Sequence, residues 1–352
     1  MTNNARSTLS TIVEKSKNAF KTIKQLLSGK SKSEPIDTAL PLPDDSSRGE
    51  WKKHIFIAPA FNKPQLVTKL DYYIYTPAPT DERPNTKGMP LVVMLHGCTQ
   101  NAQVFAEGTK MNLLAQQEGF VVVYPQQGVS HNIGKCWRWF DLNESQGLAE
   151  AHSIMKIIQS TIIMHELDPE KVFVAGMSAG AGMASVIAAY YPEEIRAVAL
   201  HSGPVLGKSK DMKSGLALMK NAFNDTDEDL MSYLRGFAQP KSLQLPAIII
   251  QGMEDEVVHI DNTTALSKQF LYFNHLPLDT KAATTKHLSG TAQEYTQSEY
   301  KDDKQSVLEV IKIKHLAHAW SGGDEKHPFN SNNGPMATRM IWDFFKKIDR
   351  SL

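Results

Sequence analysis

Over residues 171–180 the chain reads Lys-Val-Phe-Val-Ala-Gly-Met-Ser-Ala-Gly, an apolar run that stops at a serine set between glycines. Such a run reads as a buried strand, and the small apolar side chains that follow, through Tyr190, read as a helix. Where a strand turns this sharply into a helix, Gly176-Met177-Ser178-Ala179-Gly180 has the G-x-S-x-G pattern. Its glycines stand where a Cβ would strike neighbouring backbone, and the serine hydroxyl is lifted out of the turn. The helix N-terminus then brings its first amides, Ala179 foremost, beside that oxygen, where they can stabilise the negative charge of acyl transfer. Turns of small residues also occur without any such chemistry, so the rest of the chain has to supply partners.

A serine hydroxyl needs a base to accept its proton, and the base needs a carboxylate to orient it. Residues 247–251, Ala-Ile-Ile-Ile-Gln, form a buried strand that ends in Gly252-Met253-Glu254-Asp255. Acids at the carboxyl end of a strand stand where open α/β sheets do their ligand chemistry. Asp255 is taken as the acid, with Glu254 and Asp261 as rivals. A last strand leads into His315-Leu316-Ala317-His318-Ala319-Trp320-Ser321-Gly322-Gly323. His318, between alanines and ahead of a Gly-rich loop, is taken as the base, with His315 as the alternative. The chain order Ser178, Asp255, His318 is that of α/β-hydrolases and not of chymotrypsin-like or subtilisin-like proteases. The second oxyanion donor is expected in the loop after an early strand, Leu95-His96-Gly97-Cys98-Thr99, as the backbone amide of Cys98 beside that of Ala179. The Cys98 side chain reads as a small loop residue, because no histidine-paired thiolate setting surrounds it. Trp137, Trp139, Phe140 and Trp320 are candidates for lining an apolar acyl pocket, with core packing as the other reading.

Strand and helix patterns alternate along the remaining chain, which predicts an α/β fold with a mostly parallel central sheet and helices on both faces. Strands are expected at 71–75, 91–95, 120–124, 195–201 and 307–314, and helices at 104–118, 147–166 and 336–347. The stretch 207–240 is helical and polar without a matching strand, and reads as an excursion at the sheet edge or a cap over the site. Residues 280–304 read as a second excursion with one edge strand near 295–300.

With 352 residues and 41% hydrophobic side chains the chain can bury a large core. Its 38 basic and 38 acidic residues balance, so no global basic field points to nucleic acid. Residues 1–34 depart from that balance, with Arg6 and six lysines against Glu14 and Glu34. Within them Leu9, Ile12, Val13, Phe20, Ile23 and Leu27 recur near helical spacing opposite the lysines. This pattern predicts a basic amphipathic segment for an apolar or anionic surface, or else a polar tail. Residues 35–50, with Pro35, Pro41 and Pro43, read as a linker, and residues 51–352 as the catalytic domain. No secretory leader or membrane span is read, which makes a cytoplasmic location the expectation. Cys98 and Cys136 lack metal-ligand spacing and are too few for a disulfide framework. Their pairing stays open, since both fall near the expected site while a reducing compartment opposes a bridge.

Four motifs together, His96-Gly97-Cys98-Thr99-Gln100, Cys136-Trp137-Arg138-Trp139-Phe140, Gly176-Met177-Ser178-Ala179-Gly180 and His318-Ala319-Trp320-Ser321-Gly322-Gly323, resemble the polyhydroxybutyrate depolymerase family of esterases over roughly residues 70–346. The resemblance implies an α/β-hydrolase fold, a Ser178, Asp255, His318 triad, oxyanion amides at Cys98 and Ala179, and no metal or organic cofactor. It implies ester substrates, expected as aliphatic hydroxyacid esters in polymer or oligomer form. Carbohydrate-linked acyl esters of the feruloyl or acetyl xylan type are the alternative, and a non-catalytic granule-associated protein is the alternative outside enzymes. At the acid the family usually has His-Gly-Asp-x-Asp. Here Gln251-Gly252-Met253-Glu254-Asp255 keeps only the glycine and the last acid, which leaves Glu254 in contention.

Overall fold

The computed structural model describes residues 49–58, 66–129, 132, 134–142, 146–221, 225–234, 243–303 and 305–350. The basic segment expected at 1–34, and the expected linker as far as residue 48, lie outside them. In chain order the elements are β1 (Glu50–Ile57), β2 (Lys69–Thr76), β3 (Leu91–Leu95), α1 (Ala102–Thr109), α2 (Met111–Glu118), β4 (Val121–Gln126), α3 (Gln146–His165), β5 (Val172–Met177), α4 (Ala179–Tyr190) and β6 (Ala197–His201). They continue with α5 (Met212–Lys220), α6 (Asp227–Ser232), β7 (Ala247–Gly252), α7 (Asp261–Phe273), β8 (Ala283–His287), β9 (Tyr295–Lys301), β10 (Ser306–Ile313), β11 (Trp320–Ser321), β12 (Asn330–Ser331) and α8 (Ala337–Arg350).

Ten strands form one sheet in the order β1-β2-β4-β3-β5-β6-β7-β10-β9-β8. The six from β4 to β10 are parallel, and antiparallel pairs flank them at both edges. The central strands β3, β5, β6 and β7 are buried along their whole length, which is why they read as unbroken apolar runs and not as alternations. Their side chains still sort by the two-residue period of a strand. Val93, Val174, Leu200 and Ile249 join a layer with Ile154, Met183, Val186 and Phe270 from α3, α4 and α7. Val92, Phe173, Ala199 and Ile248 join the opposite layer with Phe105, Leu114, Phe344 and Phe345 from α1, α2 and α8. Both faces are thereby covered, as a parallel sheet requires.

Two of the expected stretches differ in the structure. The single helix expected at 104–118 is two helices broken at Lys110, whose φ of 58° is left-handed. The Gly108 carbonyl accepts the Asp324 N–H instead of continuing the helical ladder, and the Thr109 hydroxyl donates back to the Phe105 carbonyl at 2.7 Å. The excursion near 280–304 holds two antiparallel strands where one was expected, because β8, Ala-Thr-Thr-Lys-His, is largely exposed and carries no apolar pattern. Within the stretch expected to be helical at 207–240, Met212–Lys220 and Asp227–Ser232 are two short helices, each opened by a capping box, Asp211 with Ser214 and Thr226 with Asp229. The last helix, α8, is clamped to α2 by Glu118, which accepts from Arg339, Trp342 and Lys346. Burial works against its charge, but these three donors hold its pKa down at about 2. Among the described residues no helix is long and apolar enough to cross a membrane.

Candidate active site

Ser178 sits between the end of β5 and the start of α4 with φ 57° and ψ −122°, a backbone region that costs a non-glycine residue about 1–3 kcal/mol. Close packing imposes the turn. A Cβ on Gly176 would lie 2.3 Å from the Gly180 carbonyl oxygen, and one on Gly180 would lie 2.0 Å from that of Leu95. No side chain fits at either position. The Ser178 N–H donates to the His201 carbonyl at 2.9 Å, tying the elbow to the end of β6. The serine itself is 5% exposed.

Two strands over, the end of β7 presents Asp255 and the loop after β10 presents His318. His318 Nδ1 lies 2.8 Å from Asp255 Oδ2, with the two side chains 8% and 0% exposed. The other Asp255 oxygen accepts the N–H groups of Val257 and Val258, and Gln251 Nε2–H donates to Oδ2 at 3.0 Å. Burial raises the cost of the charge on Asp255, but His318 and these amides hold its pKa below the usual carboxylate range. The turns are pressed together, since a Cβ on Gly252 would strike the Leu316 carbonyl at 2.1 Å. The rival residues form a second pair at the surface, His315 Nδ1 to Glu254 Oε1 at 3.1 Å with side chains 44% and 59% exposed. Asp261 opens α7 and faces His259 at 3.4 Å. Burial drives the pKa of His201 down to about 3, so its neutral ring accepts the Ser321 N–H on Nε2 and holds the loop that carries His318.

The loop after β3 approaches the elbow, and a Cβ on Gly97 would lie 3.5 Å from that of Ser178. Within it the Gly97 N–H donates to Gln100, the Thr99 N–H to Gly134 and the Gln100 N–H to Gly97. The Cys98 N–H is the donor of this turn without an acceptor among the described residues. Cys98 and Cys136 are joined by a disulfide, which answers the question of their pairing. The segment holding Cys136 is bound to the loop elsewhere as well. Trp137 Nε1–H donates to the His96 carbonyl at 3.1 Å, and the Gln127 N–H donates to His96 Nε2 at 3.1 Å. His96 is neutral, its pKa lowered to about 4 by burial. Beneath lies Glu150 of α3, whose Oε1 accepts Gln127 Nε2–H at 2.6 Å and whose Oε2 accepts the Arg138 N–H at 2.7 Å.

The structure places the tryptophans otherwise than the acyl-pocket expectation. Trp137, Trp139 and Trp320 are 0%, 2% and 0% exposed. Trp139 packs over Gly182 of α4, and Trp320 stacks on His201 while its Nε1–H donates to Thr338. With their N–H groups turned inward, Trp137 and Trp320 brace the loops of the site from inside the core and do not offer a face to substrate. His201, Gln127 and Glu150 escaped the sequence reading. For Glu150 the visible signal was a lone acid between alanines on a face of α3 that carries no other charge. Among the described residues no group of three or more His, Cys, Asp or Glu side chains is arranged to hold a metal ion.

A parallel sheet covered on both faces, with a serine elbow after β5, an acid after β7 and a histidine after the last parallel strand, defines an α/β-hydrolase. Residues 70–297 match the Esterase PHB depolymerase family, and the chain belongs to it. It is 34% identical over 187 residues to poly(3-hydroxyalkanoate) depolymerase C of Paucimonas lemoignei, covering 53% of this chain and 45% of that one. It is 37% identical over 136 residues to acetylxylan esterase A of Talaromyces purpureogenus, covering 37% of this chain and 33% of that one. The chain thus spans less than half the length of these curated relatives. In three dimensions it is similar to an acetyl xylan esterase from Aspergillus awamori, with a TM-score of 0.66 at 21% identity, covering 85% of this chain and 99% of that one.

Proposed function

We propose that the protein is a serine carboxylic ester hydrolase. Ser178 attacks the ester carbonyl, His318 takes the hydroxyl proton and returns it to the leaving alcohol, and Asp255 holds the imidazole in the tautomer that presents Nε2. Water then enters by the same proton path, releasing the acid and restoring Ser178. The N–H groups of Cys98 and Ala179 receive the oxyanion. The observation that carries this reading is the buried 2.8 Å contact of His318 with Asp255, on loops that leave the same end of the sheet as the Ser178 elbow.

Aliphatic hydroxyacid esters, as polymer or oligomer, are the favoured substrates, supported by the likeness to poly(3-hydroxyalkanoate) depolymerase C. Carbohydrate-linked acyl esters are the second reading, supported by the likeness to acetylxylan esterase A. The basic amphipathic pattern of residues 1–34 supports attachment to an apolar or anionic surface such as a polyester granule. The Cys98–Cys136 bridge favours an oxidising compartment over the cytoplasmic one expected from the sequence. Initial rates on 4-nitrophenyl butyrate, hydroxybutyrate oligomers, acetylated xylo-oligosaccharides and feruloyl sugars, for the wild type and Ser178→Ala, test the reading. Ser178-dependent turnover that is fastest on the hydroxybutyrate oligomers is expected. A faster rate on the carbohydrate esters transfers the substrate assignment, and turnover that survives Ser178→Ala overturns the mechanism.

A further inference from the structure

One carboxylate lies at the centre of the bonds that hold the oxyanion loop, yet it touches neither that loop nor Ser178. Glu150 is 2% exposed, and its two oxygens accept from two different pieces of chain, the Gln127 side chain at the end of β4 and the Arg138 backbone. From Gln127 the path runs along its own backbone N–H to His96 Nε2, and also through its Nε2–H to the Cys136 carbonyl at 3.3 Å. From Arg138 it runs one residue back to Trp137, whose indole N–H holds the His96 carbonyl, and two residues back to Cys136, bonded to Cys98. Each route ends within two residues of the Cys98 amide.

We propose that Glu150 is a positioning residue for the oxyanion hole, its two accepted hydrogen bonds fixing the Gln127 and Cys136–Arg138 segments so that the Cys98 N–H stays aimed beside Ser178. The inference rests on the serine-esterase reading above.

A buried carboxylate is an expensive way to hold a loop, and two neutral acceptors would satisfy the same donors more cheaply. What it adds is strength and direction, because an ionised acceptor binds an N–H more tightly than a neutral one. The charged groups facing it are the Arg138 guanidinium, which favours its charge, and the Asp141 carboxylate, which opposes it. His96, reached through Gln127, is neutral. Burial outweighs the favourable contacts and pushes the pKa of Glu150 up to about 7, so the bonds weaken as the group takes up its proton.

Glu150→Gln keeps the shape of the side chain but turns an N–H against one of its two donors. In the full-length protein, kcat per titratable serine should fall about 10- to 100-fold on 4-nitrophenyl butyrate, a part of the loss seen when an oxyanion donor is deleted outright. KM should stay within about threefold, and inhibition by butylboronic acid, which forms a tetrahedral adduct on the serine, should weaken in step with kcat. Counting reactive serines with a fluorophosphonate separates this from misfolding, which lowers the count and not the rate per serine. If Glu150→Gln does not fold, Gln127→Met cuts the same path from its other end and should give the same pattern. A kcat per serine within twofold of wild type, with unchanged boronate inhibition, overturns the proposal while leaving the esterase reading intact. Wild-type hydrolysis that persists in Ser178→Ala overturns that reading and this inference with it.

Discussion

His318 reaches Asp255 across 2.8 Å in a contact closed to solvent, whereas three residues earlier His315 meets Glu254 in the open. Two acid–histidine pairs on the same two loops thus differ chiefly in burial, and burial decides what each can do. An acid–histidine contact exposed on both sides contributes at most about 1 kcal/mol and moves freely, while the buried one can fix a tautomer. Asp255→Asn should therefore cost roughly 10⁴-fold in kcat, and Glu254→Gln or His315→Ala no more than a few-fold. Steady-state rates of the three variants decide the assignment, and a large loss in Glu254→Gln would move the acid.

Ser178 holds a left-handed φ that only glycine adopts without strain. Ser178→Gly should abolish turnover, by roughly 10⁴-fold or more, and raise stability by about 1 kcal/mol. Chemical denaturation alongside the rate assay checks both. An inactive variant no more stable than wild type would mean that the turn is not strained.

Glu150 should also leave a mark on the pH dependence of stability. Its pKa is about 7 when folded and near 4.5 when unfolded, so between these values the folded state holds more proton than the unfolded one. Stability should then fall as the pH rises through that window, by roughly 1.4 kcal/mol for each pH unit crossed and up to about 3 kcal/mol in all. Denaturant midpoints measured from pH 4.5 to 8 should show a steeper fall for the wild type than for Glu150→Gln. Parallel curves would show that the carboxyl is not held protonated by burial.

The Cys98–Cys136 bridge spans 38 residues, and closing such a loop removes about 4 kcal/mol worth of entropy from the unfolded chain. The denatured, unreduced protein should show no free thiol, and Cys136→Ala should lower the melting midpoint by several degrees. Hydrolysis at room temperature should persist at a substantial level if, as proposed, the donor to the oxyanion is the amide of Cys98 and not its sulfur. Two free thiols in the denatured wild type would remove the bridge and, with it, the argument for an oxidising compartment.

Deleting residues 1–34 should leave turnover of a soluble ester unchanged while reducing co-sedimentation with polyhydroxybutyrate particles or anionic vesicles. Equal sedimentation of the two proteins would remove the attachment role.

The central parallel strands were legible in the sequence because they are buried on both faces and so read as apolar runs, Val172–Met177 most plainly. Ser178 announced itself through Gly176 and Gly180, whose missing side chains answer contacts of about 2 Å, and Asp255 and His318 through their places at strand ends. What stayed hidden depends on contacts between distant segments. The break at Lys110 is set by Asp324, more than two hundred residues on, and β8 has no apolar signal to give. The tryptophans misled for a related reason, since an indole near a site in sequence looks the same whether its face meets solvent or its N–H turns inward, as those of Trp137 and Trp320 do.

Those two indoles stand in different layers, Trp137 among the side chains over α3 and α4 and Trp320 on the opposite face of the sheet. Trp139 shares the first layer and Trp342 the second, so the five tryptophans of the chain are spread over both sides of the central sheet, with Trp137 bonded to the loop of His96 and Trp320 lying in the loop of His318. In variants that keep Trp137 or Trp320 as the one tryptophan, emission would follow the loop of His96 in the first and the loop of His318 in the second, so the two halves of the candidate site could be watched separately as the protein melts.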